Sequence, residues 1–362
     1  MRPLTYQYSE QLDLHLGGGL GKVFDVVYPR QLEVHLPGDG VRPCNFNCAH
    51  CQGRKLIQPL GDWEEQGLTL LDKLKGAIPY HIYGGAYTEP LINSYINDYI
   101  FMTKQHGNYF GIHTNGSCLS KVISTVIRKA TSSNDYVSIS LDAGDAESHA
   151  KVKRVAGHFN AIIDGLRELL ILRGGNNYPS VRIVYLMNNL NSHPDTIANI
   201  VRIAQEIGVD SLRFSIPYDL YGKDFNAVRE YKQTVEDANA GTYHKLVEPY
   251  LTADSSRPAV FWVSPYHQDV DRLNFKQCIY SYYQITIGAD GYVYRCSSTA
   301  SPSFKFCRLG KMTDDLEEFN RQVMANHNPG WKPGTCFKSG ARCNRIAIEL
   351  NDMWEAKNHE SR

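Results

Sequence analysis

Three cysteines, Cys44, Cys48 and Cys51, lie on one short loop with the spacing C-x3-C-x2-C, directly after the strand-like run Gln31–Leu36. A [4Fe–4S] cluster is normally held by four Cys thiolates, so three thiolates leave one iron without a protein ligand. An open coordination position separates a catalytic metal site from a closed structural one. The spacing therefore indicates a cluster that binds a further molecule through its fourth iron. The alternatives are a zinc site or three reduced thiols, although zinc loops usually combine C-x2-C with a second, distant pair.

A second group of cysteines lies in the C-terminal part of the chain: Cys278, Cys296, Cys307, Cys336 and Cys343. Between the first two, residues alternate on either side of Ala289-Asp290-Gly291, which predicts a β-hairpin. Because a hairpin brings its two ends together, Cys278 and Cys296 can bind one metal. Four thiolates also suit tetrahedral zinc, so a zinc ribbon is the alternative to an iron–sulfur site.

The elements that must position these loops alternate in type along residues 31–216. Six runs rich in β-formers are predicted strands: Gln31–Leu36, Tyr80–Tyr83, Tyr109–His113, Tyr136–Leu141, Val181–Leu186 and Ser211–Ser215. Helical segments are predicted between them: Thr69–Lys75, Leu91–His106, Leu119–Ala130, Asn160–Leu172 and Thr196–Ile207. This alternation predicts parallel βα units. In barrels of such units the reactive groups lie on loops after the strands, which is where the cysteine loop stands.

The cysteine loop resembles that of the radical S-adenosylmethionine (SAM) superfamily, whose fold is a partial (β/α)6 barrel. The resemblance implies that Cys44, Cys48 and Cys51 hold a [4Fe–4S] cluster whose open iron chelates the amino and carboxylate groups of SAM. It also implies reductive cleavage of SAM to methionine and a 5′-deoxyadenosyl radical, which takes hydrogen from an unactivated C–H bond. An electron donor such as flavodoxin or ferredoxin is then required.

The same resemblance implies SAM-binding residues after successive strands. The run Tyr83–Leu91 looks like a longer version of the family's G-G-E-P motif, although the insertion of Ala86, Tyr87 and Thr88 departs from the short form. By resemblance, the residues that bind SAM are Gly84, Gly85, Glu89, Ser140, Arg154 and Asn188. Glu89 is expected at the amino group, Ser140 near the ribose or carboxylate and Arg154 at the carboxylate. Asn188, or alternatively Asn189, is expected at the ribose. Each polar residue alone is also typical of a turn or helix cap.

The C-terminal pattern C-x12-G-x4-C resembles the opening of the auxiliary-cluster modules called SPASM and, in the truncated form, twitch. This resemblance implies a second [4Fe–4S] cluster, with Cys336 and Cys343 completing the ligands of Cys278 and Cys296. Cys307 is the alternative ligand, because the family's usual pair is more closely spaced. Cys118 and Cys307 are otherwise unassigned. They are either small buried hydrophobes or hydrogen-atom donors to a substrate radical.

The amino-acid composition limits the classes of partner that the protein is expected to bind. Lys plus Arg number 38 and Asp plus Glu number 38, and the basic residues form no stripe, which argues against nucleic acid or anionic membranes as partners. No run of about 18 apolar residues predicts a membrane span, and the first residues carry no apolar signal core. The nine cysteines, without an export signal, favour metal ligation over a disulfide framework. A cytoplasmic location is expected.

The predicted fold class is α/β, a partial radical SAM barrel followed by a small α+β twitch/SPASM-like module with a β-hairpin. The domain boundaries are a lead-in at 1–30, the barrel at 31–216, a helical connector at 217–277, the auxiliary module at 278–352 and a tail at 353–362. The connector breaks the βα rhythm and is predicted to begin with a helix from Phe225 to about Ala240.

The predicted function is a radical SAM oxidoreductase of a biosynthetic pathway, in which the auxiliary cluster accepts an electron from the substrate radical. Similar modules also occur in epimerases, decarboxylases, carbon–carbon bond-forming enzymes and modifiers of ribosomal peptides, which are the alternatives. Fewer than 35 residues precede the first strand, whereas peptide modifiers often carry a leader-binding domain there. A small polar metabolite is therefore expected, such as a sugar, an aminocyclitol or a nucleoside. The alternative outside enzymes is a zinc-stabilised binding or scaffold protein.

Overall fold

The computed structural model describes residues 28–51, 60–85, 88–217, 233–234, 236–237, 240–252, 257–262, 278 and 280–327. The predicted ligands Cys336 and Cys343 lie outside the described residues. So do most of the helix predicted from Phe225 to Ala240, and Ala86 and Tyr87 of the insertion.

The described strands form one sheet: β1 Gln31–Val34, β2 Tyr80–Tyr83, β3 Tyr109–Thr114, β4 Tyr136–Ser140, β5 Ser180–Leu186, β6 Ser211–Ser215, β7 Ala259–Trp262, β8 Gln284–Ile287, β9 Tyr292–Tyr294 and β10 Arg308–Lys311. Their order across the sheet is β10-β9-β8-β1-β2-β3-β4-β5-β6-β7. From β8 to β7 every neighbouring pair is parallel, whereas β9 pairs antiparallel with both β8 and β10.

Helices connect the strands: α1 Glu64–Leu74, α2 Ile96–Gln105, α3 Ile123–Lys129, α4 Ala146–Lys153, α5 Phe159–Arg173, α6 Pro194–Ile207, α7 Thr242–Val247, α8 Tyr280–Tyr283 and α9 Leu316–Asn326. Short 3-10 turns lie at Pro90–Ile92, Leu119–Lys121, Glu248–Tyr250, Ser297–Thr299 and Pro302–Cys307. None of the helices described is long and apolar enough to cross a membrane.

The core lies between the helices and the outer face of the sheet. On α6 the buried residues include Ile197, Ile200, Val201 and Ala204, which form one apolar stripe at helical spacing. On the strands the outward side chains are apolar and buried, as Val137 and Ile139 of β4 are. Because β-strand side chains alternate between faces, the residues between them point to the inner face.

The predicted barrel of parallel βα units, followed by a hairpin, is confirmed. Two features lay beyond the sequence analysis. The connector contains a seventh parallel strand, β7, hydrogen-bonded to β6. The hairpin strand β8 pairs in parallel with β1, so the C-terminal segment extends the same sheet. Gln31 and Gln284, which face each other in that register, also join their side-chain amides at 2.8 Å.

Candidate active site

Helix α4 anchors the cysteine loop. The N–H groups of Asn47 and Ala49 donate to the carbonyl oxygens of Lys153 (3.2 Å) and Val152 (2.7 Å). The last carbonyls of a helix have no partner within the helix, so the loop satisfies groups that would otherwise need water. The end of α4 and the cysteine loop therefore form one hydrogen-bonded unit.

The loop is also tied to the segments that follow β2 and β3. Glu89 N donates to the carbonyl oxygen of Pro43 at 2.8 Å. The Asn45 side chain donates to Ser117 Oγ at 2.8 Å and accepts from Asn115 Nδ2 at 2.9 Å. The structure thus ties the cysteine loop to the segments that follow β2 and β3.

The three thiols differ in exposure. Cys44 and Cys48 are partly buried, whereas Cys51 is exposed. Cys44 Sγ accepts from Phe46 N at 3.3 Å and lies 3.7 Å from Asn115 Nδ2. Burial, together with the charges of Glu89, Cys48 and Cys51, raises the pKa of Cys44 to about 12. Burial likewise raises the pKa of Cys48 to about 11, against the lowering effect of the Lys153 ammonium.

Glu89 is a buried carboxylate that ties two loops together. Its Oε1 accepts from Thr114 Oγ1 at 2.6 Å and from Leu91 N at 3.0 Å, and its Oε2 accepts from Asn115 N at 2.7 Å. Burial raises its pKa, although these hydrogen bonds act in the opposite direction. The carboxylate therefore stands between the ends of β2 and β3, directly beside the cysteine loop.

A buried ion pair that the sequence analysis missed lies after β4. Lys153 Nζ donates to Asp142 Oδ2 at 2.5 Å, and both side chains are at most 2% exposed. Ser140 Oγ donates to the same oxygen at 2.9 Å, while Leu186 N donates to Asp142 Oδ1 at 2.7 Å. Burial lowers the pKa of Lys153, but interactions with Asp142 and Cys48 raise it above its ordinary value. The ammonium is therefore charged and lies close to Cys48.

The remaining predicted SAM residues have distinct surroundings. Arg154, one residue after Lys153, is exposed and caps α4 in the left-handed conformation at φ 53°. Asn188 closes the turn after β5, where its Oδ1 accepts from Leu190 N at 2.9 Å and its Nδ2 donates to Leu186 O at 3.2 Å. A Cβ on Gly84 would lie 2.2 Å from His113 O, and one on Gly85 would lie 1.8 Å from the His35 ring. Neighbouring segments of the protein therefore leave no room for a side chain at these two positions.

In the C-terminal segment, Cys278 precedes α8, which leads into the hairpin strand β8, and Cys296 follows the second hairpin strand β9. The buried Cys307 ends a 3-10 turn, and its carbonyl oxygen accepts from Arg295 N at 3.3 Å. Cys307 therefore lies across the strand pair from the residue before Cys296. Cys118 is partly buried next to Ser117, whose hydroxyl lies 3.8 Å from its sulfur.

The inner face of the sheet carries ionisable side chains that the sequence analysis did not select. They are Glu33 of β1, His35 directly after β1, His113 of β3, Arg182 of β5 and Arg213 of β6. The signal was present in the sequence, because polar and apolar residues alternate along Gln31–Leu36 and along Ser180–Ile183. A parallel strand that is buried on both faces reads instead as a nearly continuous apolar run.

Comparisons with known proteins agree with this geometry. Residues 41–193 match the family model described as the Radical SAM superfamily. SuiB of Streptococcus suis bound to S-adenosylmethionine aligns with a TM-score of 0.57 at 14% identity, covering 86% of this chain and 68% of that chain. The structure of SuiB bound to precursor peptide SuiA aligns with a TM-score of 0.56 at 14% identity, and the alignment covers 82% of this chain and 66% of that chain. Native anSMEcpe with bound AdoMet aligns with a TM-score of 0.48 at 15% identity, and the alignment covers 91% of this chain and 95% of that chain. A search of curated proteins found no match.

Residues 41–193 therefore match the radical SAM family, and the fold around them is that of the SuiB structures. The family implies a [4Fe–4S] cluster and SAM, and the residues present fit both. Among the described residues, no three His, Cys, Asp or Glu side chains converge on a point that could hold a single metal ion. A cluster takes one thiolate per iron, so its ligands stand further apart than those of one ion. Three thiols on a loop anchored to its neighbours suit that requirement.

Proposed function

We propose that the protein is a radical SAM oxidoreductase that removes hydrogen from a small polar metabolite. The observation that carries the proposal is the anchoring of the Cys44–Cys51 loop to the ends of β2, β3 and α4. Every one of these contacts lies at the carboxyl end of the strands, where the reactive groups of parallel barrels stand.

In this proposal Cys44, Cys48 and Cys51 hold the cluster. When bound, the cluster and SAM supply an electron and an organic radical that abstracts hydrogen. The protein contributes position and charge. The backbone hydrogen bonds to α4 fix the loop, and the Lys153 ammonium offsets negative charge on the Cys48 sulfur and on Asp142.

The SAM amino group is assigned to Glu89 and the backbone at Gly84 and Gly85. Glu89 Oε2 accepts one donor from the described residues, Asn115 N, and a carboxylate oxygen can accept a second. An ammonium there would form a charge-assisted hydrogen bond. Ser140 and Arg154 are assigned to the SAM carboxylate, and Asn188 to the ribose.

The auxiliary cluster is assigned to Cys278 and Cys296, with Cys336 and Cys343 as the further ligands. The position of Cys307 beside the end of β9 supports it as the substitute ligand. A second cluster provides an acceptor for the electron of a substrate radical, which is why oxidation is preferred to quenching. Quenching would need a hydrogen-atom donor, for which Cys118 and Cys307 are the candidates.

The test begins with anaerobically purified protein, SAM and dithionite. We expect 5′-deoxyadenosine to form, and the double variant Cys278→Ala/Cys296→Ala to lose about four irons, the content of one [4Fe–4S] cluster. Absence of 5′-deoxyadenosine from cluster-loaded wild-type protein would overturn the proposal. If the double variant loses one zinc with its iron unchanged, the zinc ribbon is correct and the auxiliary cluster is wrong.

The fate of the substrate radical is tested by turnover in deuterated water. Oxidation predicts a product two hydrogens lighter than the substrate, with no deuterium on carbon. A product of unchanged composition that carries one carbon-bound deuterium, and that disappears in Cys118→Ala or Cys307→Ala, would identify an epimerase instead.

A further inference from the structure

A buried pair of opposite charges borders the cysteine loop. Lys153 Nζ donates to Asp142 Oδ2 at 2.5 Å, and both side chains are at most 2% exposed. The same Asp142 oxygen lies 3.9 Å from Nε2 of His50, which stands between Cys48 and Cys51 in the chain. The ammonium and the His50 ring therefore lie on one carboxylate oxygen, and the charge pair is placed directly against the segment that carries these two thiols.

The backbone on either side of Cys48 is held by the same helix that carries Lys153. Asn47 N donates to the carbonyl oxygen of Lys153 at 3.2 Å, and Ala49 N donates to that of Val152 at 2.7 Å. Hydrogen bonds to sulfur are one means by which a protein sets the potential of a cluster. These two N–H groups are directed at α4 instead, and the last residue of α4 brings a positive charge to the same place.

The geometry of the pair is fixed from the side of the carboxylate. Ser140 Oγ donates to Asp142 Oδ2 at 2.9 Å, and Leu186 N donates to Oδ1 at 2.7 Å. Asn191 Nδ2 donates to the Asp142 carbonyl oxygen at 2.9 Å. The φ of Asp142 is 54°, a left-handed conformation that residues other than glycine rarely adopt. A carboxylate held by all these bonds keeps the Lys153 ammonium at one position beside the loop.

The two charges act on the loop with opposite signs. Reduction of a cluster adds one electron from an external donor, so a neighbouring cation stabilises the reduced state and a neighbouring anion destabilises it. Solvent screens buried charges much less than exposed ones. Burial is the main cause of the raised pKa of Cys48; within the pair, Lys153 lowers this pKa more strongly than Asp142 raises it. The cation therefore outweighs the anion at this thiol.

We propose that the buried Lys153–Asp142 pair sets the reduction potential of the cluster held by the Cys44–Cys51 loop, with Lys153 raising the potential and Asp142 lowering it. The inference rests on the proposed function for the presence of that cluster. Lys153 and Asp142 are positioning residues in this role, because they act on the cluster through the loop and through their charge. The role requires no contact with SAM.

The test is a redox titration of the anaerobic holoenzyme without SAM, followed by the electron paramagnetic resonance signal of the reduced cluster. The relevant signal is the one absent from the triple variant Cys44→Ala/Cys48→Ala/Cys51→Ala. Lys153→Met should lower the midpoint potential and Asp142→Asn should raise it. Each shift should be about 59 mV, which is a roughly tenfold change in the ratio of reduced to oxidised cluster for a one-electron couple. Lys153→Arg keeps the charge and should retain the wild-type potential.

A further variant covers the case in which a single replacement prevents folding. Loss of one partner leaves the other charge buried and unpaired, whereas replacement of both partners is often neutral for stability. The double variant Lys153→Met/Asp142→Asn is therefore expected to fold. Because Lys153 acts on Cys48 more strongly than Asp142 does, the potential of the double variant should also fall, by no more than in Lys153→Met.

The matched control is an exposed pair on the same helix, in which Lys151 Nζ lies 2.7 Å from Glu147 Oε1. Lys151→Met and Glu147→Gln remove the same charges where solvent screens them, so both should keep the wild-type potential. Equal potentials in wild type and the double variant would overturn the proposal. So would shifts of the same sign in Lys153→Met and Asp142→Asn, because a loosened loop moves both in one direction. Absence of a reducible cluster from wild type would overturn the proposed function, and this inference with it.

Discussion

Buried carboxylates stand at both ends of β4, and the two make the same kinds of contact. Before the strand, Asp135 accepts from Phe110 N of β3 at 3.0 Å and from Lys104 Nζ of α2 at 2.9 Å. After the strand, Asp142 accepts from Leu186 N of β5 at 2.7 Å and from Lys153 Nζ of α4 at 2.5 Å. Each carboxylate thus joins a neighbouring strand to a helix.

Their surroundings differ. Asp135 also accepts hydrogen bonds from Thr131 N and Ser132 N. These two bonds close the turn that leads into β4. Asp142 shares its Oδ2 with Ser140 Oγ and lies 3.9 Å from His50 of the cysteine loop. A buried ion pair alone therefore does not locate an active site, since the same pair closes a turn at one strand end and borders the cysteine loop at the other.

The largest effect is expected on stability, from replacing Asp135 at the amino end of β4. Asp135→Ala leaves the Lys104 ammonium buried without its partner, so the free energy of unfolding should fall by about 3–5 kcal/mol. The measurement is urea denaturation of the wild type and the variant. Folded Asp135→Ala should still bind SAM with wild-type affinity, because Asp135 lies at the opposite end of the strand from the cysteine loop. A large loss of SAM affinity in the folded variant would remove the distinction between the two ends.

An intermediate effect, on the affinity for SAM, is expected from replacing Glu89. Glu89→Gln keeps the shape but loses the charge, so a SAM ammonium would lose a hydrogen bond worth about 1.5–3 kcal/mol, or roughly ten- to a hundredfold in Kd. Isothermal titration with SAM measures this, and iron content should stay at the wild-type level. The control is Glu65→Gln, on an exposed carboxylate of α1 that accepts from Tyr95 OH at 2.8 Å. Unchanged SAM affinity in Glu89→Gln would mean that the motif register through Ala86–Thr88 is wrong.

The smallest effect is expected at Arg154. Because this side chain is exposed, Arg154→Gln should weaken SAM binding only roughly two- to fivefold, in line with exposed ion pairs of up to about 1 kcal/mol. Its thermal unfolding should match that of wild type. The comparison variant is Lys153→Met, which removes the neighbouring buried cation. If Arg154→Gln binds SAM as wild type does while folded Lys153→Met does not, the carboxylate site belongs to Lys153.

Much of the fold could be predicted because its signals are local. The first six strands alternate with helices, and the C-x3-C-x2-C spacing lies directly after the first of them. The sequence could not show whether Lys153 or Arg154 is the basic residue that points into the site. Adjacent helical positions differ by about 100° in direction, and α4 itself was not predicted. Nothing in the local pattern specifies that Lys153 is the residue that turns inward toward Asp142.

The long-range pairings were also beyond local signals. Strand β8 joins β1 through partners such as Gln31 and Gln284, which lie 253 positions apart in the chain, so no local pattern specifies their pairing. The four-residue strand β7 is too short to show a period. The inner-face arginines were visible as an alternation, but their joint position depends on the register of four strands.

In the proposed function, the loop at the carboxyl end of β1 holds the cluster that cleaves SAM. The most direct measurement is 5′-deoxyadenosine formation with dithionite in the triple variant Cys44→Ala/Cys48→Ala/Cys51→Ala, beside wild type and with iron counted in both. Each thiolate would bind a different iron of one cluster, so we expect no 5′-deoxyadenosine above background, with the iron of the C-terminal segment retained. Undiminished cleavage of SAM by the triple variant would contradict it.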